Sequence, residues 1–271
     1  VDAATRAQRF LALHAAPDLL LLPNPWDPGS ARLLAWLGFD ALATTSGGFA
    51  ATQGRLDGSM SRDDVLDHAA AIVAATDLPV SADLENGFGD TPDEVAETVR
   101  RALEVGLAGC SIEDFTGRGD DPIYDMALAE ERMAAAAEVA HSGPVHLVLT
   151  GRAENHIHGR PDLDDTIARL QACERAGADV LYAPGLTTVD EIRRVVDSVQ
   201  RPVNVLARPG GPTVPELAQL GVARLSVGSA LCFAALGAVV EAAGELRDQG
   251  TYGFLDHAAL GAQSVRAAFR A

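Results

Sequence analysis

A chain of 271 residues matches the length of one α/β barrel, and its 48% apolar content is ample for a large core. The formal net charge of −17 argues against nucleic acid and against an anionic membrane surface, since both demand basic patches. All 21 basic residues are arginine, and the missing lysine excludes Schiff-base aldolase chemistry, pyridoxal phosphate attachment and a P-loop.

The elements are legible in order. A leading helix covers about Thr5 to Ala15, and Leu19–Leu22 form a first strand that ends in Asn24-Pro25-Trp26-Asp27. Asp27-Pro28 reads as a helix cap with proline in the first turn. A second strand, Ala41–Thr45, ends in Ser46-Gly47-Gly48, and Ser61 with Asp64 forms a capping box for the next helix. Strand three opens at Val80 and runs into Asp83-Leu84-Glu85-Asn86-Gly87-Phe88-Gly89; Thr91-Pro92-Asp93-Glu94 then starts a helix. Strand four, Gly109–Asp114, precedes a Gly/Asp loop and a helix from about Met126 to Ala140. Strands five to eight are Val145–Thr150, Val180–Tyr182, Val203–Leu206 and Arg224–Val227. An apolar helix over Leu231–Arg247 and a helical tail complete the chain.

Eight strand–helix units joined by crossovers indicate a (β/α)₈ TIM barrel, with residues 1–271 forming one domain. A doubly wound sheet is the alternative, but Asn24-Pro25-Trp26 is not a nucleotide-binding glycine pattern. Cys110, Cys173 and Cys232 form no CxxC pair, which disfavours zinc and disulfide frameworks and fits a cytoplasmic protein. The Arg6–Leu22 stretch loosely imitates a signal peptide, yet His14, Pro17 and Asp18 interrupt it. No run reaches the roughly 18 apolar residues of a membrane span.

Barrel chemistry collects at the C-terminal ends of the strands. Strand alternation puts Ser81, Asp83 and Glu85 on one face, Ser111 and Glu113 on the matching face of strand four, and Thr150, Arg152 and Glu154 on that of strand five. Paired carboxylates at a strand end repel unless a cation lies between them, and a hard divalent ion such as Mg²⁺ suits oxygen donors. Cys110, on the opposite face, reads as core rather than nucleophile. Trp26 reads as a pocket wall or as core filling, Asn204 as a substrate contact, and Arg208 as the holder of a distal carboxylate or as a salt-bridge partner. Asp57, Glu154, His156 and His158 are the candidate proton acceptors.

Over almost its whole length the chain resembles the isocitrate lyase/phosphoenolpyruvate mutase superfamily. The matching pieces are Asn24-Pro25-Trp26-Asp27, Thr44-Thr45-Ser46-Gly47-Gly48, Asp83 to Gly89, Ser111-Ile112-Glu113-Asp114 and Gly151-Arg152. The resemblance implies Mg²⁺, with Mn²⁺ able to substitute, held by Asp83 with Glu85 and Glu113. It also implies a substrate carboxylate on the backbone N–H groups around Ser46, Gly47 and Gly48, and Arg152 opposite developing negative charge. A homo-dimer or homo-tetramer that exchanges the last barrel helix between subunits is implied as well.

The departures narrow the reaction. The lyases that cleave isocitrate and methylisocitrate carry a Lys-Lys/Arg-Cys-Gly-His loop after strand four; here Phe115–Asp121 has neither cysteine nor histidine. The second aspartate of strand three is replaced by Glu85, and Pro184-Gly185 stands where those lyases place a glutamate. The expectation is therefore a Mg²⁺-dependent lyase that breaks a C–C bond, by retro-aldol/Claisen cleavage or decarboxylation, in a small 2-oxo or 2-hydroxy di- or tricarboxylate. The alternatives are a P–C bond enzyme of the phosphonopyruvate type and a catalytically weak 2-oxo-acid binder.

Overall fold

Period-2 apolar runs and amphipathic helical segments resolve into a closed alternation. A computed structural model, which describes residues 1–270, places eight parallel strands in the order β1-β8-β7-β6-β5-β4-β3-β2. They are β1 (Leu20–Leu22), β2 (Leu42–Ala43), β3 (Val80–Asp83), β4 (Gly109–Glu113), β5 (Val148–Arg152), β6 (Val180–Tyr182), β7 (Val203–Leu206) and β8 (Arg224–Ser226). The Ala43 N–H donates to the Pro23 carbonyl at 3.1 Å, which draws the two ends of the sheet together. The fold is a (β/α)₈ TIM barrel with an added helix at each end.

The helices are α1 (Ala3–His14), α2 (Pro28–Trp36), α3 (Ser46–Thr52), α4 (Arg62–Ala75), α5 (Pro92–Glu104), α6 (Met126–His141), α7 (Leu163–Arg175), α8 (Val189–Ser198), α9 (Val214–Gln219), α10 (Ala230–Asp248) and α11 (Leu255–Ala268). Reciprocal capping boxes start α2 (Asp27/Ser30), α4 (Ser61/Asp64), α5 (Thr91/Glu94) and α8 (Thr188/Glu191). Each such cap contributes about 1 kcal/mol. Leu42, Val80, Ala82, Cys110, Ile112, Leu149 and Leu181 face outward from the strands and bury against Ile72, Val99, Ala136, Leu170 and Ile192 of the helices. Helix α1 plugs the N-terminal end of the barrel with Phe10. A Cβ at Gly109 would lie 2.7 Å from the Phe10 ring and 2.8 Å from the Val148 carbonyl, so only glycine lets that ring seat.

Three differences from the sequence reading bear on the mouth. Strand β5 begins at Val148 rather than Val145, so Arg152 ends the strand itself. The Ser46-Gly47-Gly48 that follows strand two opens α3, because the Thr45 hydroxyl caps the helix by accepting from the Gly48 N–H at 3.4 Å. Strand β3 stops at Asp83, and Glu85 takes φ +48°, so it reaches the mouth through a left-handed kink and not by strand alternation.

Among the described residues no helix is long and apolar enough to cross a membrane. Helix α10 buries only Cys232, while Leu231, Phe233, Leu236, Val239 and Val240 are exposed. Helix α11 returns to α2, where the Arg32 guanidinium lies 5.4 Å from the Phe269 ring centroid.

A polar layer crosses the barrel interior. Arg224 donates to Asn204 Oδ1 (2.8 Å), to Thr150 Oγ1 (3.1 Å) and to His14 Nε2 (3.1 Å). The other ring nitrogen of His14 lies 2.8 Å from the Phe10 carbonyl, which fixes a neutral tautomer. Burial, then the Arg224 charge, pushes the His14 pKa down from 6.5 to about 3. Between those two values the unfolded chain carries a proton on His14 that the folded chain refuses, so acid favours unfolding through this group. We therefore expect His14→Gln to narrow the loss of unfolding free energy between pH 7 and pH 5 by about 2 kcal/mol relative to the parent chain. Urea titrations at both pH values check this, and an unchanged difference contradicts it.

Candidate active site

The mouth of the barrel is built from strand ends. Asn24, just beyond β1, donates to the Thr44 carbonyl (3.0 Å) and accepts from the N–H groups of Val227 (3.0 Å) and Gly228 (2.9 Å). One buried amide thus ties together the ends of β1, β2 and β8. A Cβ at Gly47 would lie 2.7 Å from Ser229 Oγ and 3.0 Å from Asp57 Oδ2; at Gly48 it would lie 2.6 Å from Thr45 Cγ2. Two successive glycines let α3 pack this close to the rim.

Arg152 is the centre of the arrangement. Its Nη1 donates to Asp83 Oδ1 at 2.8 Å, its Nη2 lies 3.0 Å from Glu113 Oε2, and its Nε donates to Glu154 Oε1 at 2.9 Å. The guanidinium carbon stands 5.1 Å from the Tyr182 ring centroid. Asp83 also accepts from the Ser46 hydroxyl at 3.0 Å, and its N–H donates to Thr44 Oγ1 at 3.0 Å. Behind this set, Asp114 accepts from the Glu154 N–H (2.7 Å) and from Arg169 (3.0 Å), which fixes the β5 end against α7.

The charges do not balance. Burial, then Asp83 and Asp57, pushes the Glu85 carboxyl up to about 7, with Arg152 pulling the other way. Burial also raises Glu113 well above the ordinary carboxylate range, against the attraction of Arg152. Burial works against the Arg152 cation, but Glu113, Glu154 and Asp83 outweigh it and raise its pKa. Glu85 Oε1 is buried without a hydrogen-bond partner. Excess negative charge and an orphaned carboxylate oxygen are what a hard divalent cation relieves, so Asp83, Glu85 and Glu113 fit such an ion by donor chemistry, although as the side chains stand their oxygens are not gathered within 4.8 Å of one another.

Two cavities meet here. One, of about 210 Å³, runs down from Ser46, Asp57, Asp83 and Arg152 past Tyr182, Ser111 and Pro184 to Asn204 and Arg224. The other, of about 340 Å³, is bounded by Glu85, Glu113, Glu154, Phe115 and His158 and shares Ser46, Asp57, Arg152 and Ile157 with the first. Phe115 pairs with Ile123 across a bridge, and its ring stacks on His158 at 3.8 Å. That loop is tied down further by Arg118, which donates to both oxygens of Asp90 at 3.1 Å.

The structure thus brings Ser46, Asp57 and Arg152 to both cavities, Asp83 and Asn204 to the first, and Glu85 and Glu113 to the second. Arg208 is not brought there. Strand β7 ends at Leu206, the chain turns outward with the Gly211 N–H on the Arg208 carbonyl, and the Arg208 side chain is exposed. Trp26 packs beside Gly48 with its carbonyl on His68 Nε2 (2.9 Å), behind the rim rather than in the cavity wall. His156 faces Glu191 of α8 at 4.0 Å. Cys110 is fully buried, and burial pushes its thiol up to about 12, which makes it packing and no nucleophile. Tyr182 and Arg224 were missed. Strand alternation along β6 and the arginine at the start of β8 were the available signals.

The family model of phosphoenolpyruvate phosphomutase matches residues 10–247. A solved structure from Burkholderia cenocepacia J2315, which carries only a provisional lyase/mutase description, aligns at 56% identity and TM-score 0.92 over 94% of this chain and 92% of that one. The 2-methylisocitrate lyase of Bacillus subtilis is 30% identical over 74% of this chain and 66% of its own length. Oxaloacetate acetylhydrolase with its product oxalate aligns at 27% identity and TM-score 0.83, covering 93% of this chain and 89% of that one.

Removing the Arg152 charge strands three carboxylates. We expect Arg152→Gln to lower the unfolding free energy by about 3 kcal/mol or more, and Arg208→Gln to change it by less than about 0.5 kcal/mol. Urea denaturation of the two variants measures both, and similar midpoints would contradict this account of the site.

Proposed function

The chain belongs to the phosphoenolpyruvate phosphomutase family of the isocitrate lyase/PEP mutase superfamily, and we propose that it is a Mg²⁺-dependent lyase acting on a small 2-oxo or 2-hydroxy di- or tricarboxylate. The bond broken is C–C, by retro-aldol/Claisen cleavage or decarboxylation through an enolate. The observation that carries the reading is the acidic set around Arg152 with an orphaned Glu85 oxygen, lining adjoining cavities of about 210 and 340 Å³. The family's lyases act on small carboxylates, as the names 2-methylisocitrate lyase and oxaloacetate acetylhydrolase state of those relatives.

When bound, Mg²⁺, or Mn²⁺ in its place, would be held by Asp83, Glu85 and Glu113 and would supply Lewis-acid chemistry toward the substrate oxygens. The protein's own groups do the rest. In the first turn of α3 the Ser46 N–H donates to Asp83 Oδ2 and the Gly48 N–H to Thr45 Oγ1, so the Gly47 N–H is the backbone dipole this turn offers to a substrate carboxylate. Arg152, already fixed by three carboxylates and the Tyr182 ring, meets negative charge on the enolate oxygen without first reorganising. Decarboxylation needs no positioned base, because CO₂ departs with the bond. Retro-aldol cleavage does need one. Asp57, on the exposed loop after α3, lines both cavities and is free of the Arg152 network, so it is the proton acceptor we assign.

The family model's own name favours a second reading, P–C bond chemistry. The loop after β4 speaks against it. Its one cation, Arg118, is engaged by Asp90 and not presented to the cavity. The exposed apolar face of α10 supports a homo-oligomer, dimer or tetramer, in which this helix packs on a neighbouring barrel. A Val240→Asp variant should then sediment as a smaller species than the parent, and an unchanged sedimentation coefficient refutes that packing.

Incubation with oxaloacetate, isocitrate, methylisocitrate and phosphonopyruvate, with and without chelator, tests the reaction. C–C cleavage that chelator abolishes is the expected result, lost in Asp83→Ala and kept within about tenfold in folded Cys110→Ser, since that thiol faces the helices and touches no group of the mouth. Turnover of phosphonopyruvate alone supports the second reading, and metal-dependent binding without turnover supports a binder.

A further inference from the structure

Metal-ligating groups also gather away from the mouth. His141 ends α6, His146 lies in the loop before β5, and Asp179 immediately precedes β6. All three therefore sit at the N-terminal ends of the strands, on the face opposite the mouth. His141 Nε2 lies 3.0 Å from Asp179 Oδ2, and His146 Nε2 lies 3.0 Å from Asp179 Oδ1. The two imidazoles are stacked, with centroids 4.2 Å apart and planes 10° off parallel, so both Nε2 atoms point at the same carboxylate. Among the described residues this is the one group of three His, Cys, Asp or Glu side chains whose ligand atoms all lie within 4.8 Å of one another.

We propose that His141, His146 and Asp179 form a second cation site, one for a borderline transition-metal ion of the zinc class, independent of the mouth. Two imidazole nitrogens and one carboxylate oxygen are a zinc-type donor set, whereas Mg²⁺ prefers oxygen throughout. With metal–ligand bonds of about 2.0–2.1 Å, tetrahedral ligand atoms stand about 3.3 Å apart, close to the spacing already present. The carboxylate is preset: Asp179 is only 10% exposed, and its Oδ2 also accepts from the Leu149 N–H at 2.9 Å. The imidazoles are partly exposed, 28% and 40%, which gives an ion an entry path and leaves water a fourth position. On binding, the ion takes the place of the two N–H···O contacts; each neutral ring keeps its proton by moving it to Nδ1. The consequence is a staple between the α6–β5 and α7–β6 connections, on the face of the barrel that serves stability and not chemistry.

The test uses the full chain with Mg²⁺ in excess, so that the hard oxygen donors of the mouth are occupied, and follows Co²⁺ by its visible d–d absorption. The parent chain and Asp83→Ala should both develop a nitrogen/oxygen-ligated Co²⁺ band that Zn²⁺ displaces. His146→Ala and His141→Ala should bind weaker by more than the roughly 10–100-fold that loss of an outer-shell partner costs. Zn²⁺ should likewise raise the melting temperature of the parent and of Asp83→Ala but not of the histidine variants. His146 is the more exposed ring, and circular dichroism confirms that its replacement leaves the fold intact. No band in the parent, an equal band in both histidine variants, or a band lost in Asp83→Ala each overturns the proposal.

Discussion

The mouth depends on one guanidinium. Asp83, Glu113 and Glu154 come from the ends of β3, β4 and β5, and each reaches Arg152 within about 3 Å. Three carboxylates this close and this buried would not coexist without it, because each charge must shed water and then face two like charges. Arg152 offers five donors in a rigid planar fork that holds several carboxylates in fixed directions, where a lysine ammonium has three freely rotating ones. The arrangement still falls short of neutrality. Glu85 joins the same group with no partner for one oxygen. A barrel that sought only stability would have filled this end with apolar side chains, so the surplus charge marks the functional end of the fold.

Much of this was legible in advance, for physical reasons that can be named. The strands announce themselves because each buries one face against helices, and the capping boxes at Ser61, Thr91 and Thr188 place the following helices to the residue. Asp83, Glu113 and Arg152 were legible because strand ends in a barrel point at one place. What was hidden lies where alternation fails. Glu85 shares the parity of Asp83, yet the strand has ended and the residue sits at φ +48°. Arg208 has the right residue type at the right strand, but the two residues beyond Leu206 turn it outward. The helix that Ser46-Gly47-Gly48 opens was not legible in the sequence, since glycine weakens helices by about 1 kcal/mol; the Thr45 cap and the tight packing against Ser229 and Asp57 override it.

The late start of β5 has the same kind of explanation. Val145 and His146 look like strand, but His146 is held by Asp179, and the Asp179 carboxylate caps the Leu149 N–H. Burial works to raise the Asp179 carboxyl, and the hydrogen bonds from His141 and Leu149 more than offset it, leaving it below its usual range. A local polar contact therefore takes the place of the first rungs of the ladder, and shifts the strand toward the mouth, so that Arg152 sits on rigid sheet rather than on a loop. The positioning of the catalytic end is in this sense set from the opposite end of the same strand.

Arg224 completes the electrostatic picture. It is 4% exposed, lines the floor of the mouth cavity, and its partners Asn204, Thr150 and His14 are all neutral. Burial lowers its pKa to about 10, which still leaves it fully cationic at neutral pH. Among the described residues no carboxylate pairs with it. The interior therefore runs from an acidic rim to a cationic floor. A multiply charged carboxylate entering this space is repelled by Asp83, Glu85 and Glu113 until a cation covers them, and it is attracted from below throughout. A substrate of the class we propose would meet the rim groups at one end and the Arg224 charge at the other, the two-ended hold that a C–C cleavage between two carboxylates would call for.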